Sequence, residues 1–199
     1  MRVKQARMVK DGRGKAPAGE GWFVLNARDA SWYGNDLFGS ATPFESRKNR
    51  FPQYGINIHV MLKGQPNCHY HGESDQEDFL VVSGRCRLLV EGREIKLGPW
   101  DFVHCPAWTD HVFVGLSKEP CVVVMAGGRK RRGGVRYPAL PLAIKYRAGV
   151  RKATNDARVS YAGIPWGPVR APAPFSRRRA AAKRGSRKRP AGSSARGRR

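Results

Sequence analysis

Seven short strand-like runs, each closed by a turn signal, constrain this chain more than any other feature. The runs are residues 56–62, 79–82, 86–90, 94–97, 102–105, 111–114 and 121–126. Between them stand Gly64-Gln65-Pro66-Asn67, Ser83-Gly84, Glu91-Gly92, Gly98-Pro99, Pro106 to Asp110 and Ser117 to Pro120. Runs this short cannot be helices of ordinary length. Ile56-Asn57-Ile58-His59-Val60-Met61-Leu62 alternates as a half-buried strand does. Many short strands at regular spacing, with no alternation of strands and helices, predict an all-β sandwich or barrel.

The chemistry-bearing residues fall at the ends of these runs. His69 and His71 are two apart, so on a strand both side chains would share one face. Glu77 opens the next run, and His111 opens a later one after a Pro-containing turn. A barrel would bring such positions together around its cavity. Three neutral imidazoles and a carboxylate suit Fe(II), Mn, Ni, Cu or Zn, so one divalent metal ion is the expected cofactor. Other residues are expected to be structural. His59 lies on an apolar strand and is read as a packed, hydrogen-bonded imidazole. His104 and Cys105 should face opposite sides of their strand, with Cys105 in the core. Asp78 should face away from Glu77. Tyr70 should pack outside the cavity, and Trp100 and Trp108 should fill the barrel ends.

The flanks have another texture. Residues 1–20 are basic with Gly and Pro and read as a flexible entry. Residues 21–26 are a strand candidate, and 27–49 an irregular arm whose aromatic rings pack on the barrel's outside. Residues 137–150 read as a last strand plus an extension, and Thr154 as the cap of a short helix over 155–161. The chain divides into the entry at 1–20, a domain at 21–166 with its barrel core at 56–128, and a basic tail at 167–199 expected to be disordered. Net charge is +23 over 199 residues. Residues 177–199 hold eleven Lys/Arg and no acid, so part of the charge belongs to the tail. Such a charge favours polyanions, and the tail is a candidate for nonspecific nucleic-acid contact. It lacks aromatic rings for base stacking.

The four cysteines, Cys68, Cys86, Cys105 and Cys121, form no C-x-x-C pair, which leaves a zinc ribbon or thioredoxin-like motif unsupported. Each is expected as a reduced thiol in or beside an apolar run. No apolar stretch reaches the length of a membrane span. The basic start of the chain lacks the apolar core of a signal peptide, so the expected compartment is the cytoplasm.

Taken together, these residues resemble the cupin superfamily. In its first motif a Gly precedes His-x-His, a Glu follows, and a second Gly closes the motif after six more residues. Here Gly64 stands before His69 with four residues between them, one fewer than the pattern. Five residues separate His71 from Glu77, one more than the pattern, and six separate Glu77 from Gly84. In the second motif Gly98 is followed by seven residues before Pro106 where the pattern has five, Pro106 and His111 keep their spacing, Trp108 replaces a Gly, and Gly115 replaces an Asn. Runs such as Gln76-Glu77-Asp78-Phe79-Leu80-Val81 and Trp100-Asp101-Phe102-Val103-His104-Cys105-Pro106 are similar to those of uncharacterised bacterial cupin-domain proteins. The resemblance implies a double-stranded β-helix (jelly-roll) barrel with metal held by His69, His71, Glu77 and His111. The inserted residue leaves Glu77, Gln76 and Glu73 as choices for the carboxylate position, Glu77 first. It also implies a homodimer, paired through outer strands and the arm of residues 22–51. The functional expectation is a metal-dependent protein that binds or transforms a small polar molecule, as an oxygenase, isomerase or decarboxylase. The alternatives are a non-catalytic sensor or binding module, and a nucleic-acid-associated protein acting through its tail.

Overall fold

The computed structural model describes residues 1–46, 48–129 and 133–176. In chain order its strands are β1 (Arg7–Asp11), β2 (Gly14–Ala18), β3 (Trp32–Asn35), β4 (Gly39–Thr42), β5 (Tyr54–Met61), β6 (Gly72–Glu73), β7 (Glu77–Ser83), β8 (Cys86–Val90), β9 (Arg93–Leu97), β10 (Phe102–Cys105), β11 (His111–Gly115), β12 (Cys121–Gly128) and β13 (Val135–Arg136). Two short helices, α1 (Pro141–Lys145) and α2 (Ala157–Ser160), precede β14 (Gly167–Val169). The fold is all-β, and the named strands pair antiparallel. One sheet runs β10-β7-β12-β5-β4-β3-β14, and a second runs β11-β8-β9.

Strand alternation assigns each side chain to a face. Phe79 and Val81 of β7, Val123 and Met125 of β12, Met61 of β5 and Cys105 of β10 point inward from the large sheet. They meet Cys86 and Leu88 of β8, Leu97 of β9 and Phe113 of β11 from the small one in one buried cluster. The core therefore lies between two facing sheets, as in a jelly roll. Each such side chain fully buried contributes about 1.5–3 kcal/mol. The residues between them face outward and are covered by the flanks. Leu89, Val112 and Val114 pack with Tyr70, Ala143 and Ala148, beneath α1. Val60 and Val122 pack with Trp32 on the far side of the large sheet. The expected core and its strands are therefore present, with Cys86, Cys105 and Cys121 as buried free thiols.

The flanks are more regular than their composition suggests. Residues 1–20 contain the β1–β2 hairpin, turned at Asp11-Gly12-Arg13-Gly14, where Gly12 sits at φ 55°. The arm supplies β3 and β4, which extend the large sheet and bury Trp32 and Phe38. Residues 21–26 form no strand; Ala6 N–H donates to Trp22 O at 2.9 Å instead. The apolar stretch at 137–150 is α1 rather than a strand, since Pro141 fits the first helical turn. Asp156, not Thr154, caps α2 by accepting from the Arg158 N–H. Residues 167–176 are also placed rather than disordered. Pro168 pairs with Tyr33, and Phe175 packs on Trp32 with ring centroids 5.3 Å apart. An apolar ring and a strand partner suffice to anchor a segment that reads as basic. The remainder of the expected tail, residues 177–199, lies outside the described residues.

Candidate metal centre

Three of the four expected ligands converge at one end of the barrel. Glu77 and His111 are the first residues of β7 and β11 and share the inward parity of Phe79 and Phe113. The segment from Pro66 to His71 runs beside β11. Asn67 N–H donates to Phe113 O at 3.0 Å, and Asn67 Oδ1 accepts from Phe113 N–H at 2.8 Å. At its other end His71 and His111 exchange backbone bonds: His71 N–H donates to His111 O at 3.1 Å, and His111 N–H to His71 O at 2.8 Å. The two histidines are therefore register partners, with ring centroids 5.1 Å apart. One ligand atom each from His71, Glu77 and His111 lies within 4.8 Å of the others.

His69 does not join them. Between Asn67 and His71 the chain has three residues, against one between Phe113 and His111. The segment bulges there, so the two-residue alternation that would put His69 and His71 on one face is interrupted. The His69 ring stacks on Tyr161, 4.8 Å centroid to centroid and 6° from parallel, and its Nδ1 bonds Ser160 Oγ at 2.8 Å. Its backbone carbonyl does reach the centre, as the acceptor for His71 Nδ1–H at 2.8 Å. Thr109 O plays the same part for His111 Nδ1–H at 2.9 Å. Each imidazole thus has Nδ1–H tied to a carbonyl and its Nε2 turned to the carboxylates. His111 Nε2 lies 3.4 Å from Glu77 Oε2, and His71 Nε2 lies 3.5 Å from Glu73 Oε1. A carbonyl fixing the tautomer of a ligating His is the usual support of a metal site. This donor set fits a divalent ion of the imidazole- and carboxylate-binding kind.

The other carboxylate candidates separate clearly. Gln76 faces outward and donates to Asp78 Oδ2 at 3.1 Å. Glu73, on β6, stands beside His71 and Glu77. Burial and then the neighbouring Glu73 charge push the Glu77 carboxyl up to about 7. The His71 imidazole beside it is the main cause holding Glu73 below its ordinary value. Burial, then the nearby His71 charge, lowers the His111 imidazole to about 4. Burial opposes protonation of His71 as well. The Cys68 thiol, Glu73 and Glu77 outweigh it, so His71 is held well above its ordinary value. Two carboxylates crowded against two buried imidazoles are an arrangement that a cation relieves.

The remaining readings sort by strand face. His59 is buried and its Nε2–H donates to Phe38 O at 2.8 Å. His104 points outward to Asp78, opposite Cys105. Tyr70 packs away from the centre, and its hydroxyl accepts from Gly92 N–H at 3.1 Å. Trp100 does not fill a barrel end. It sits at φ 75° in the turn before β10 and is 73% exposed. Beside His71 and Glu77 opens a cavity of about 540 Å³. Its walls include Tyr33 and Phe38 from the arm and Tyr161, Ile164 and Trp166 from the chain after α2. No spacing in the sequence joins these segments to the histidines.

The cupin domain family matches residues 58–127. A quercetin 2,3-dioxygenase from Bacillus subtilis (strain 168) is 42% identical over 45 residues, which are 23% of this chain and 13% of that protein. The chain thus spans a small part of the length of that relative. Among solved structures, a putative sugar phosphate isomerase from Acidithiobacillus ferrooxidans is 26% identical, with a TM-score of 0.40 over 42% of this chain and 55% of its own. A polyketide cyclase from Streptomyces resistomycificus is 14% identical, with a TM-score of 0.48 over 56% and 82% of the two chains. A cupin family protein with a double-stranded β-helix fold from Methanocaldococcus jannaschii is 12% identical, with a TM-score of 0.37 over 40% and 72%. The family match and the strands that build the core, from β5 to β12, fall on the same stretch, so residues 58–127 match a cupin domain.

Proposed function

We propose that His71, Glu77 and His111 hold one divalent metal ion, with Glu73 as a further oxygen donor, and that a small molecule is bound or transformed beside it. The observation that carries this reading is the reciprocal backbone pairing of His71 with His111, each with Nδ1 tied to a carbonyl and Nε2 turned to a carboxylate. When bound, such an ion supplies Lewis acidity or oxygen activation. The chain's own groups do the rest. The carbonyls of His69 and Thr109 hold the imidazoles in one orientation. Glu73 and Glu77 set the charge of the site. The apolar cavity excludes water from the bound molecule. Of the oxygenase, isomerase and decarboxylase readings, the local likeness to a dioxygenase supports the first.

The test is elemental analysis of the purified protein and of single variants. One equivalent of metal per chain is expected. His71→Ala and His111→Ala should each lose nearly all of it, while His69→Ala retains most. If both His71→Ala and His111→Ala keep a full equivalent, the centre is not where the ion binds. Full occupancy in both but none in His69→Ala would restore a ligand role to His69.

A second reading rests on charge. Eleven Lys/Arg in residues 177–199 offer a nonspecific nucleic-acid contact. Among the described residues no helix is long and apolar enough to cross a membrane. A chain ending at Ser176 should keep its melting temperature and bind duplex DNA with a shallower salt dependence, because fewer counterions are released. An unchanged salt slope would remove the tail from this role. A homodimer, paired through the arm of residues 22–51, is part of the same proposal. A light-scattering mass near one 22.2 kDa chain at micromolar concentration would count against it.

A further inference from the structure

The two ends of the described chain meet at one corner of the fold, and both are basic. The β1–β2 hairpin sets Lys10 directly opposite Lys15, so two like charges share one face of the ribbon. Cations so placed repel, and the pair destabilises a hairpin unless something compensates it. Arg13 stands in the turn between them. Asp11, the one acid of residues 7–18, has the opposite parity to Lys10 and accepts from Tyr33 Oη at 2.8 Å. Lys10, Arg13 and Lys15 are exposed, and none is ion-paired with a described carboxylate. The hairpin tip therefore carries a cost that an anion from outside the chain would relieve.

β14 brings the other end of the chain to the same corner. Pro168 packs on the hairpin turn so closely that a Cβ at Gly12 would come within 2.9 Å of the Pro168 Cβ. Arg170 follows β14 and is exposed. The described chain then ends at Ser176, next to the contact of Phe175 with Trp32, and residues 177–199 add eleven Lys/Arg and no acid. Fully extended, a stretch of that length spans roughly 70 Å. It is long enough to follow any polyanion that the hairpin touches. We infer that the hairpin tip, with Lys10, Arg13, Lys15 and Arg170, is a docking surface for the phosphate backbone of a nucleic-acid duplex, and that the tail extends this contact along the same partner. Residues 7–18 contain no aromatic ring, so the surface offers no stacking for unpaired bases. Contact is then with phosphates alone, which a duplex presents at the higher density. The inference rests on the nucleic-acid reading above and gives it a place on the folded chain; it is independent of the metal centre.

Two full-length triple variants that lose the same charge test it. One carries Lys10→Gln, Arg13→Gln and Lys15→Gln. The control carries Arg93→Gln, Lys96→Gln and Lys118→Gln, exposed positions on β9 and in the turn before β12. Binding of a labelled DNA duplex is followed by fluorescence anisotropy between roughly 0.05 and 0.2 M salt. The hairpin variant should lose about 2 to 3 from the slope of log affinity against log salt, close to one for each phosphate released, and bind at least about tenfold more weakly at the lower salt. The control should change the slope by less than about 0.5. The melting temperature of the hairpin variant should stay the same or rise, since a like-charge pair is removed. If that variant does not fold, Arg13→Gln and Arg170→Gln, made singly, should each lower the slope by about 1. Equal losses in the two triple variants would show that only net charge matters and would overturn the inference, as would an unchanged slope in the hairpin variant. Vesicles containing phosphatidylserine form a second arm: a hairpin variant that loses vesicle binding and keeps the duplex assigns the surface to a membrane and overturns it too. The tail is judged separately with the chain ending at Ser176. Duplex binding that survives this truncation and then falls with the hairpin variant leaves the hairpin standing without the tail. Binding lost on truncation and untouched by the hairpin variant does the reverse.

Discussion

Among the described residues two imidazole–carboxylate groupings meet opposite faces of β7, and they are built differently. On the outer face His104 Nδ1 and Asp78 Oδ1 are 2.6 Å apart, closer than any such pair inside the barrel. Yet their side chains are 49% and 30% exposed, and the nitrogen meeting the carboxylate is the one that carbonyls hold in the inner histidines. On the inner face His71 and His111 stand 3.5 and 3.4 Å from their carboxylates, too far for good hydrogen bonds, with 10% and 1% of their side chains exposed. The short contact is a satisfied surface pair. The long contacts leave room between the groups, and a buried carboxylate without a close compensating charge is costly.

The comparison breaks most sharply at two adjacent residues. Glu77 and Asp78 carry the same chemistry on opposite faces of β7. Glu77→Gln should weaken metal binding by about a hundredfold or more, since it removes a charged donor from the inner set. Asp78→Asn should leave it unchanged. Competition with a chromogenic chelator measures both. Equal losses would mean that the ion is held by the acidic surface of β7 and not by the barrel end.

A smaller effect sharpens the role of burial by itself. His59 is as deeply buried as the inner histidines but has a carbonyl partner in place of a carboxylate. Burial lowers it from the ordinary 6.5 to about 4 despite the bond to Phe38. Between these values the unfolded chain takes up a proton that the folded chain refuses. Stability should therefore fall as pH drops from 6.5 toward 4. For this one group the loss is about 2 kcal/mol between pH 8 and pH 5. His59→Gln, which can still donate to Phe38 O, should lack that component. Urea midpoints at the two pH values, wild type against variant, give the difference directly. Parallel loss in both proteins would assign the pH dependence to other groups.

Strand periodicity made most of the barrel legible, because two facing sheets reward alternation and each inward residue then follows from its neighbour. Glu77, His111, Phe79 and Phe113 needed nothing more. His69 failed on the same rule. The bulge between Asn67 and His71 is set by pairing with β11, a contact across more than forty residues that no local pattern announces. Glu73 was one of three candidates until β6 placed it beside His71. The cavity walls were hidden for a related reason. Trp166 reads as a ring pinning a loop, and only the packing of the chain after α2 brings it over the barrel mouth. Regularity of the flanks was also hidden, since β1, β2 and β14 are short strands rich in Gly, Pro and charge whose order comes from partners rather than from propensity.

The smallest effect is expected at the outer pair, and it completes the comparison. His104 lies on β10, at the edge of the large sheet, and its ring reaches Asp78 across the β7–β10 ladder. Half of the ring is in water, so the bond to Asp78 replaces a solvated state of nearly equal free energy. His104→Ala should change stability by less than about 0.5 kcal/mol and leave metal content untouched. The edge position argues the same way, because no side chain beyond β10 depends on this ring for packing. Chemical denaturation and elemental analysis of the one variant measure both outcomes. A loss of metal in His104→Ala would mean that the barrel end feels the outer face through β7. Since Asp78 and Glu77 are consecutive on that strand, the double variant with Asp78→Asn would then show whether the coupling runs through their shared backbone.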